Sequence, residues 1–260
     1  MKTLNLTPKS SKNHSISLAS LAVTALRKDI LNLTLPPSEH LDEKMLLIKY
    51  PYGRTPLREA LSRLMAEGLI ETQNGRGAYV TSMSIEQTLP LLEALVVNER
   101  IIATYLNFEN PLLINDLEKI QTKYEKLGAS KDTPGITRTN QKFHFRMAEA
   151  TENHFFIKQA LHIYQLASRL SSLIFKTERI SSIDLLSKIS RVNETHRQII
   201  NLIKEKNRTD LLSLSSDHAS LFKTELSMII SRRYDFQVNF SERPLDSIGL
   251  KKNTPQSEAL

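Results

Sequence analysis

Tyr52-Gly-Arg-Thr-Pro-Leu-Arg-Glu-Ala-Leu-Ser-Arg-Leu-Met-Ala-Glu-Gly-Leu-Ile-Glu71 carries an amphipathic run between two glycines. Leu57, Ala60, Leu61 and Leu64 recur at three- and four-residue spacing, the apolar stripe of a helix. Arg54, Thr55, Arg58 and Ser62 fall on the opposite face. Gly53 is placed as the N-cap, and Pro56 falls in the first turn, where its missing N–H has no intrahelical partner to lose. Gly68 is placed just past the helix end. Leu69-Ile-Glu-Thr-Gln73 and Ala78-Tyr-Val-Thr81 then read as short strands joined by the hairpin turn Asn74-Gly-Arg-Gly77.

On the N-terminal side, residues 1–15 are polar and read as a loose arm. Leu18, Leu21, Ala22, Ala25, Leu26, Ile30 and Leu33 give one helical stripe over 17–33, broken by Leu35-Pro-Pro-Ser38. A short helix over 42–48 precedes Lys49-Tyr-Pro-Tyr-Gly53. On the C-terminal side, Ser84-Ile-Glu-Gln87 has the form of a capping box. It opens a run of helices expected at about 85–107, 112–127, 137–151, 154–176, 184–205 and 208–232, with breaks at Lys131-Asp-Thr-Pro-Gly135 and at 177–182. The fold class is mainly α. The domain reading is an arm (1–15), a three-helix unit with a two-stranded wing (16–82), an all-helical unit (83–234) and a polar tail (235–260).

The 260 residues are 40% hydrophobic and 24% charged, with only seven glycines, in keeping with a helical globular chain. Of the net charge of +7, residues 1–84 carry +4, so the basic excess is densest around the quoted stretch. The lack of cysteine excludes disulfides, thiolate nucleophiles and cysteine-type zinc sites. There is no apolar leader and no run long enough for a membrane helix, so a cytoplasmic location is expected.

A helix fits the DNA major groove, and arginine can bridge guanine O6 and N7. Arg54 and Arg58, at i and i+4, point the same way with Thr55 beside them. Arg76, on a narrow turn with Asn74 and Gly75, suits a minor groove or a phosphate, and Lys44 on the preceding helix suits the phosphate backbone. The order of helix, helix, arginine-led helix and hairpin resembles the winged helix-turn-helix of GntR-family transcription regulators. That family has Arg-Thr-Pro-x-Arg-Glu-Ala-Leu, then Gly-Leu and a wing glycine. The resemblance implies double-stranded operator DNA as partner, contacted by Lys44, Arg54, Thr55, Arg58, Asn74, Gly75 and Arg76. Gly53 departs from it, because the family usually carries Ser or Thr there.

Asn140 and His144, also at i and i+4, face one interior point. His196 and His218 fall on successive helices expected to pack antiparallel. Such a set is either a divalent transition-metal site or a group of hydrogen-bonded core histidines. This half resembles the all-helical FCD effector domain of one GntR subfamily, in the order Asn140-Gln-Lys-Phe-His144, Glu194-Thr-His196, His218. The resemblance implies a metal held by Asn140, His144, His196 and His218, zinc first and nickel second, beside a small organic acid effector in a homodimer. Asn140 stands where that subfamily usually has a carboxylate, and Leu95 of Glu93-Ala-Leu95 stands where it often has Arg. Arg169 is read either as a partner of the effector carboxylate or as a surface residue. The expected function is a ligand-responsive repressor of metabolic genes. The alternatives are a metal-dependent enzyme, disfavoured by the absence of His-Glu-x-x-His and Gly-x-Ser-x-Gly, and a metal sensor.

Overall fold

The computed structural model describes residues 17–73, 77–177 and 182–234. Asn74, Gly75, Arg76, the N-terminal arm and the C-terminal tail lie outside the described residues. The first unit contains α1 (Leu18–Leu31), α2 (Glu43–Lys49), α3 (Arg54–Ala66), β1 (Ile70–Thr72) and β2 (Ala78–Val80). The strands pair antiparallel with Ile70 opposite Val80 and Thr72 opposite Ala78. The second unit is α4 (Ile85–Tyr105), α5 (Leu113–Ala129), α6 (Thr133–Glu149), α7 (His154–Thr177), α8 (Ser182–Lys204) and α9 (Arg208–Tyr234).

Caps explain the helix starts in the first unit. Ser17 accepts from Ser20 N–H at 3.1 Å, and Asp42 accepts from Met45 N–H at 2.9 Å, each satisfying a donor the helix leaves unpaired. Gly53 makes no side-chain cap and sits at φ 93°, a left-handed conformation that costs a serine strain. The α3 stripe Leu57, Ala60, Leu61 and Leu64 is buried against Ala22, Leu26 and Ile30 of α1, as its spacing requires. At its end, Gly68 N–H bonds Met65 O and Leu69 N–H bonds Leu64 O, both at 3.0 Å. This pair is a Schellman motif, with Gly68 at φ 69°.

Three sequence expectations change. The helix expected to reach Leu33 ends at Leu31, and Leu33 has φ 57°. Ser84 is the N-cap of α4 without a side-chain cap bond; its carbonyl instead accepts from Thr88 Oγ1 at 2.7 Å. The break at 131–135 is shorter than expected. Asp132 caps α6 by accepting from Gly135 N–H at 3.0 Å, and Pro134 is tolerated in the first turn.

The second core runs from Leu95, Ile102 and Leu106 of α4 through Leu113, Phe143, Ala160 and Ile163 to Ile199, Ile203 and Leu211. The two units meet along α7. Arg169 Nη2 donates to Thr81 O just past β2, Lys176 Nζ donates to Leu33 O at 2.9 Å, and His162 approaches Gly68. An alanine Cβ at Gly68 would come 3.3 Å from His162 Cε1 on a left-handed backbone. Gly68→Ala is expected to lower the unfolding free energy by about 1–2 kcal/mol, from that conformation alone. Urea denaturation measures it, and an unchanged midpoint would show that this turn relaxes freely.

Candidate functional site

On the first unit, Arg54, Thr55 and Arg58 are exposed along the outer face of α3, and Lys44 is exposed on α2. Arg58 Nε lies 3.0 and 3.2 Å from the two Glu43 carboxylate oxygens, so α2 holds the second arginine in a defined place. With the Arg58 side chain 68% exposed, the pair is solvent-screened and exchanges readily for another anion. Arg54 has no ion pair among the described residues. In the hairpin, His40 bridges to Tyr79, and a Cβ added at Gly77, φ 111°, would come 3.0 Å from His40 Nε2.

In the second unit, α6, α8 and α9 bring His144, His196 and His218 together. One ligand atom from each lies within 4.8 Å of the others, and all three residues are buried. His144 Nδ1, His196 Nε2, His218 Nδ1 and Asn140 Oδ1 are buried without a hydrogen-bond partner. Asn140 shares two cavity walls with His218. Gln121 Oε1 lies 2.8 Å from His196 Nδ1, which fixes the proton there and leaves the Nε2 lone pair available. Gln121 is itself held, donating from Nε2 to Asn193 Oδ1 at 2.9 Å and Glu125 Oε1 at 3.1 Å. Phe143 stacks on the His196 ring at 3.9 Å. Three buried imidazoles this close together could hold a divalent metal ion.

Sequence reasoning missed Glu99 and Gln121. Glu99 is 2% exposed and accepts from the Tyr164 hydroxyl at 2.6 Å. Its Oε1 is 3.3 Å from His144 Nδ1. Burial first, then Glu99, pushes the Tyr164 hydroxyl well above its usual range. Both residues had a legible signal: each is polar on an otherwise apolar helical stripe, Leu92, Leu95, Glu99, Ile102 in α4 and Leu113, Leu117, Gln121, Tyr124 in α5.

Two neighbouring cavities adjoin the histidines and share Thr137, Asn140, Ser171 and His218 in their walls. The larger is otherwise apolar, with Tyr124, Ile136, Ile174 and Phe175, and takes Lys188 and Arg191 from α8. The smaller reaches Glu99, His144, Tyr164 and Leu95, so an apolar side chain faces it at position 95. Arg169 lines neither of these two cavities, and its alternative reading as a surface residue is corrected. It is 1% exposed, bonded to Thr81 O between the units, with Nε unpartnered, and burial lowers its pKa to about 10 against the opposing pull of Glu71. An arginine on α7 read alone gives no indication of which of its faces meets the neighbouring unit.

A winged, arginine-led helix joined to a helical bundle with a buried histidine centre is the architecture of a DNA-binding regulator. Residues 18–80 match the bacterial regulatory proteins of the gntR family, and residues 102–220 match the FCD domain. The chain belongs to the GntR family of transcription regulators, with an N-terminal helix-turn-helix and a C-terminal FCD domain, and is not an enzyme. It is 28% identical over 197 residues to the HTH-type transcriptional regulator LutR of Bacillus subtilis, covering 68% of this chain and 87% of that one. It is 29% identical over 168 residues to the HTH-type transcriptional repressor GlaR of Escherichia coli, covering 62% and 75%. The fold matches a GntR regulator from Rhodococcus sp. RHA1 at TM-score 0.66 and 16% identity, over 82% of this chain and 98% of that one. It also matches E. coli McbR/YncC at TM-score 0.67 and 15% identity, over 84% and 99%. No helix among the described residues is long and apolar enough to cross a membrane.

Burial, helped by His144, holds His218 down to about 3, and burial with His218 and His144 holds His196 well below the usual histidine range. Both stay neutral in the folded chain, whereas the unfolded chain takes up protons below about pH 6.5. The unfolded state then binds more protons, so stability falls as pH drops from about 6.5 toward 3. Metal-free protein is expected to lose up to about 2 kcal/mol per histidine between pH 6.5 and pH 5. His218→Gln is expected to remove about half of that slope. Urea unfolding at pH 7.5 and 5.0 checks this, and equal stabilities would mean that the imidazoles protonate in place.

Proposed function

We propose that this chain is a ligand-responsive repressor that reads a short palindromic operator as a homodimer and responds to a small organic acid bound beside a divalent metal. The carrying observation is the four buried, unpartnered atoms of Asn140, His144, His196 and His218 next to two cavities. These residues would hold zinc, or nickel, and the metal would supply an open position for a carboxylate oxygen. The remaining cavity wall is largely apolar, with Lys188 and Arg191 to attract an anion. The adjoining cavities favour a metal that presents a ligand over a metal that is itself the signal. The repressor sign is supported by GlaR, a repressor by its description. DNA as the target implies a cytoplasmic location.

In this reading Arg54, Thr55 and Arg58 enter the major groove, Lys44 meets phosphate, and Asn74, Gly75 and Arg76 contact the adjoining groove. On binding, Arg58 would exchange Glu43 for a base edge. The route from input to output is α7. Tyr164, Ser168, Ser171 and Phe175 line the cavities along one stripe. His162, Arg169 and Lys176 recur every seven residues on the opposite stripe and touch the reading unit. A ligand that shifts this helix biases the arrangement of the reading units, and its effect is bounded by its differential affinity for the two arrangements.

Two measurements test the assignment. Against an operator selected by the wild-type chain from random duplexes, Arg58→Ala is expected to weaken binding by about 1–3 kcal/mol and relax one base position; unchanged affinity removes Arg58 from the contact set. Elemental analysis of protein grown with ample zinc should find one metal per chain, lost in His196→Ala with helical content retained. A metal-free wild type would sink the metal reading.

A further inference from the structure

The three imidazoles that converge at the histidine centre are neutral ligands, and so is the amide of Asn140, whose buried Oδ1 is also unpartnered, so together they would neutralise none of a divalent ion's charge. Burying an uncompensated double charge in an apolar bundle is costly, and burying a lone carboxylate is costly too. Glu99 is such a carboxylate. It is 2% exposed on α4, and no Lys or Arg pairs with it among the described residues. Its Oε1 lies 3.3 Å from His144 Nδ1, which has no hydrogen-bond partner. A cation held at the histidine centre, with Glu99 close beside it, would offset both costs at once.

From this geometry we propose that Glu99 is the charge partner of the metal, acting from beside His144 rather than as one of the converging ligands. The proposal rests on the metal reading above and adds a residue to it. The Glu99 carboxylate has a fixed orientation, because Tyr164 donates to its Oε1 at 2.6 Å without neutralising it. Glu99 also lines the smaller cavity with His144 and His218. A negative charge there would also repel an entering carboxylate, so Glu99 would set how much positive charge remains on the ion for its ligand.

The test uses the full chain, stripped with a chelator and titrated with zinc against a chromophoric competitor. Glu99→Gln keeps the shape and removes the charge, and it is expected to weaken zinc binding about 10- to 100-fold, the usual size for a residue behind a ligand. Asn140→Asp places a carboxylate among the donors, so it should tighten binding and, combined with Glu99→Gln, restore affinity to within a few-fold of wild type. Tyr164→Phe keeps the charge and should shift affinity by less than about threefold, a smaller effect than removing a ligand's own supporting partner. Unchanged affinity in Glu99→Gln overturns the proposal. Weakened affinity that Asn140→Asp fails to restore also overturns it, because Glu99 would then matter only for shape. Should the wild-type chain take up no zinc at all, the metal reading itself fails and this proposal with it, an outcome distinct from a site that binds zinc regardless of Glu99.

Discussion

The second unit is organised around a cost that its apolar core alone cannot meet. Four polar atoms from Asn140, His144, His196 and His218 are buried without partners inside a bundle of Leu, Ile and Phe. Each such atom costs about 1–3 kcal/mol if left unsatisfied. Three of these atoms belong to histidines close enough together to hold a metal ion, and the surrounding contacts order their rings. Gln121 sets the His196 tautomer, Asn193 and Glu125 hold Gln121, Arg197 holds Glu125 at 2.8 Å, and Phe143 fixes the ring plane. This outer layer ties α5 to α8 and keeps the donors converged.

The same centre explains the position of α7. One stripe of that helix forms the cavity wall, and the opposite stripe touches the reading unit through His162, Arg169 and Lys176. Arg169 makes the most directional of these contacts. A buried guanidinium bonded to a backbone carbonyl pins the residue after β2 in a way that apolar packing would not. At the output end, the Arg58–Glu43 pair holds the reading side chain in place while leaving it free to exchange.

Much of this was legible in the chain. The α3 stripe, its Pro56, the Gly68 terminus and the strand pair are local consequences of spacing and backbone preference, and they stand as the sequence implied. Gly53 is a refinement: φ 93°, not capping, is what requires glycine there. The histidine order was legible because Asn140 and His144 share one helix face. Glu99 and Gln121 were legible as polar residues on apolar stripes, yet nothing in the linear order said that those stripes face the histidines. Arg169 was misread because either face of α7 could have met the cavity.

The elements, the arginine-led helix and the family were thus written in the chain, since each depends on interactions within a few residues or on a recognisable motif. Packing between the helices settled the rest: which polar atoms are left unpartnered, that Glu99 lies beside His144 and Gln121 beside His196, and that Arg169 joins the two units. Those facts depend on how α4, α5, α7, α8 and α9 rotate against one another. That rotation is set by contacts between residues as far apart as Thr81 and Arg169, or Gln121 and His196, which no local pattern encodes.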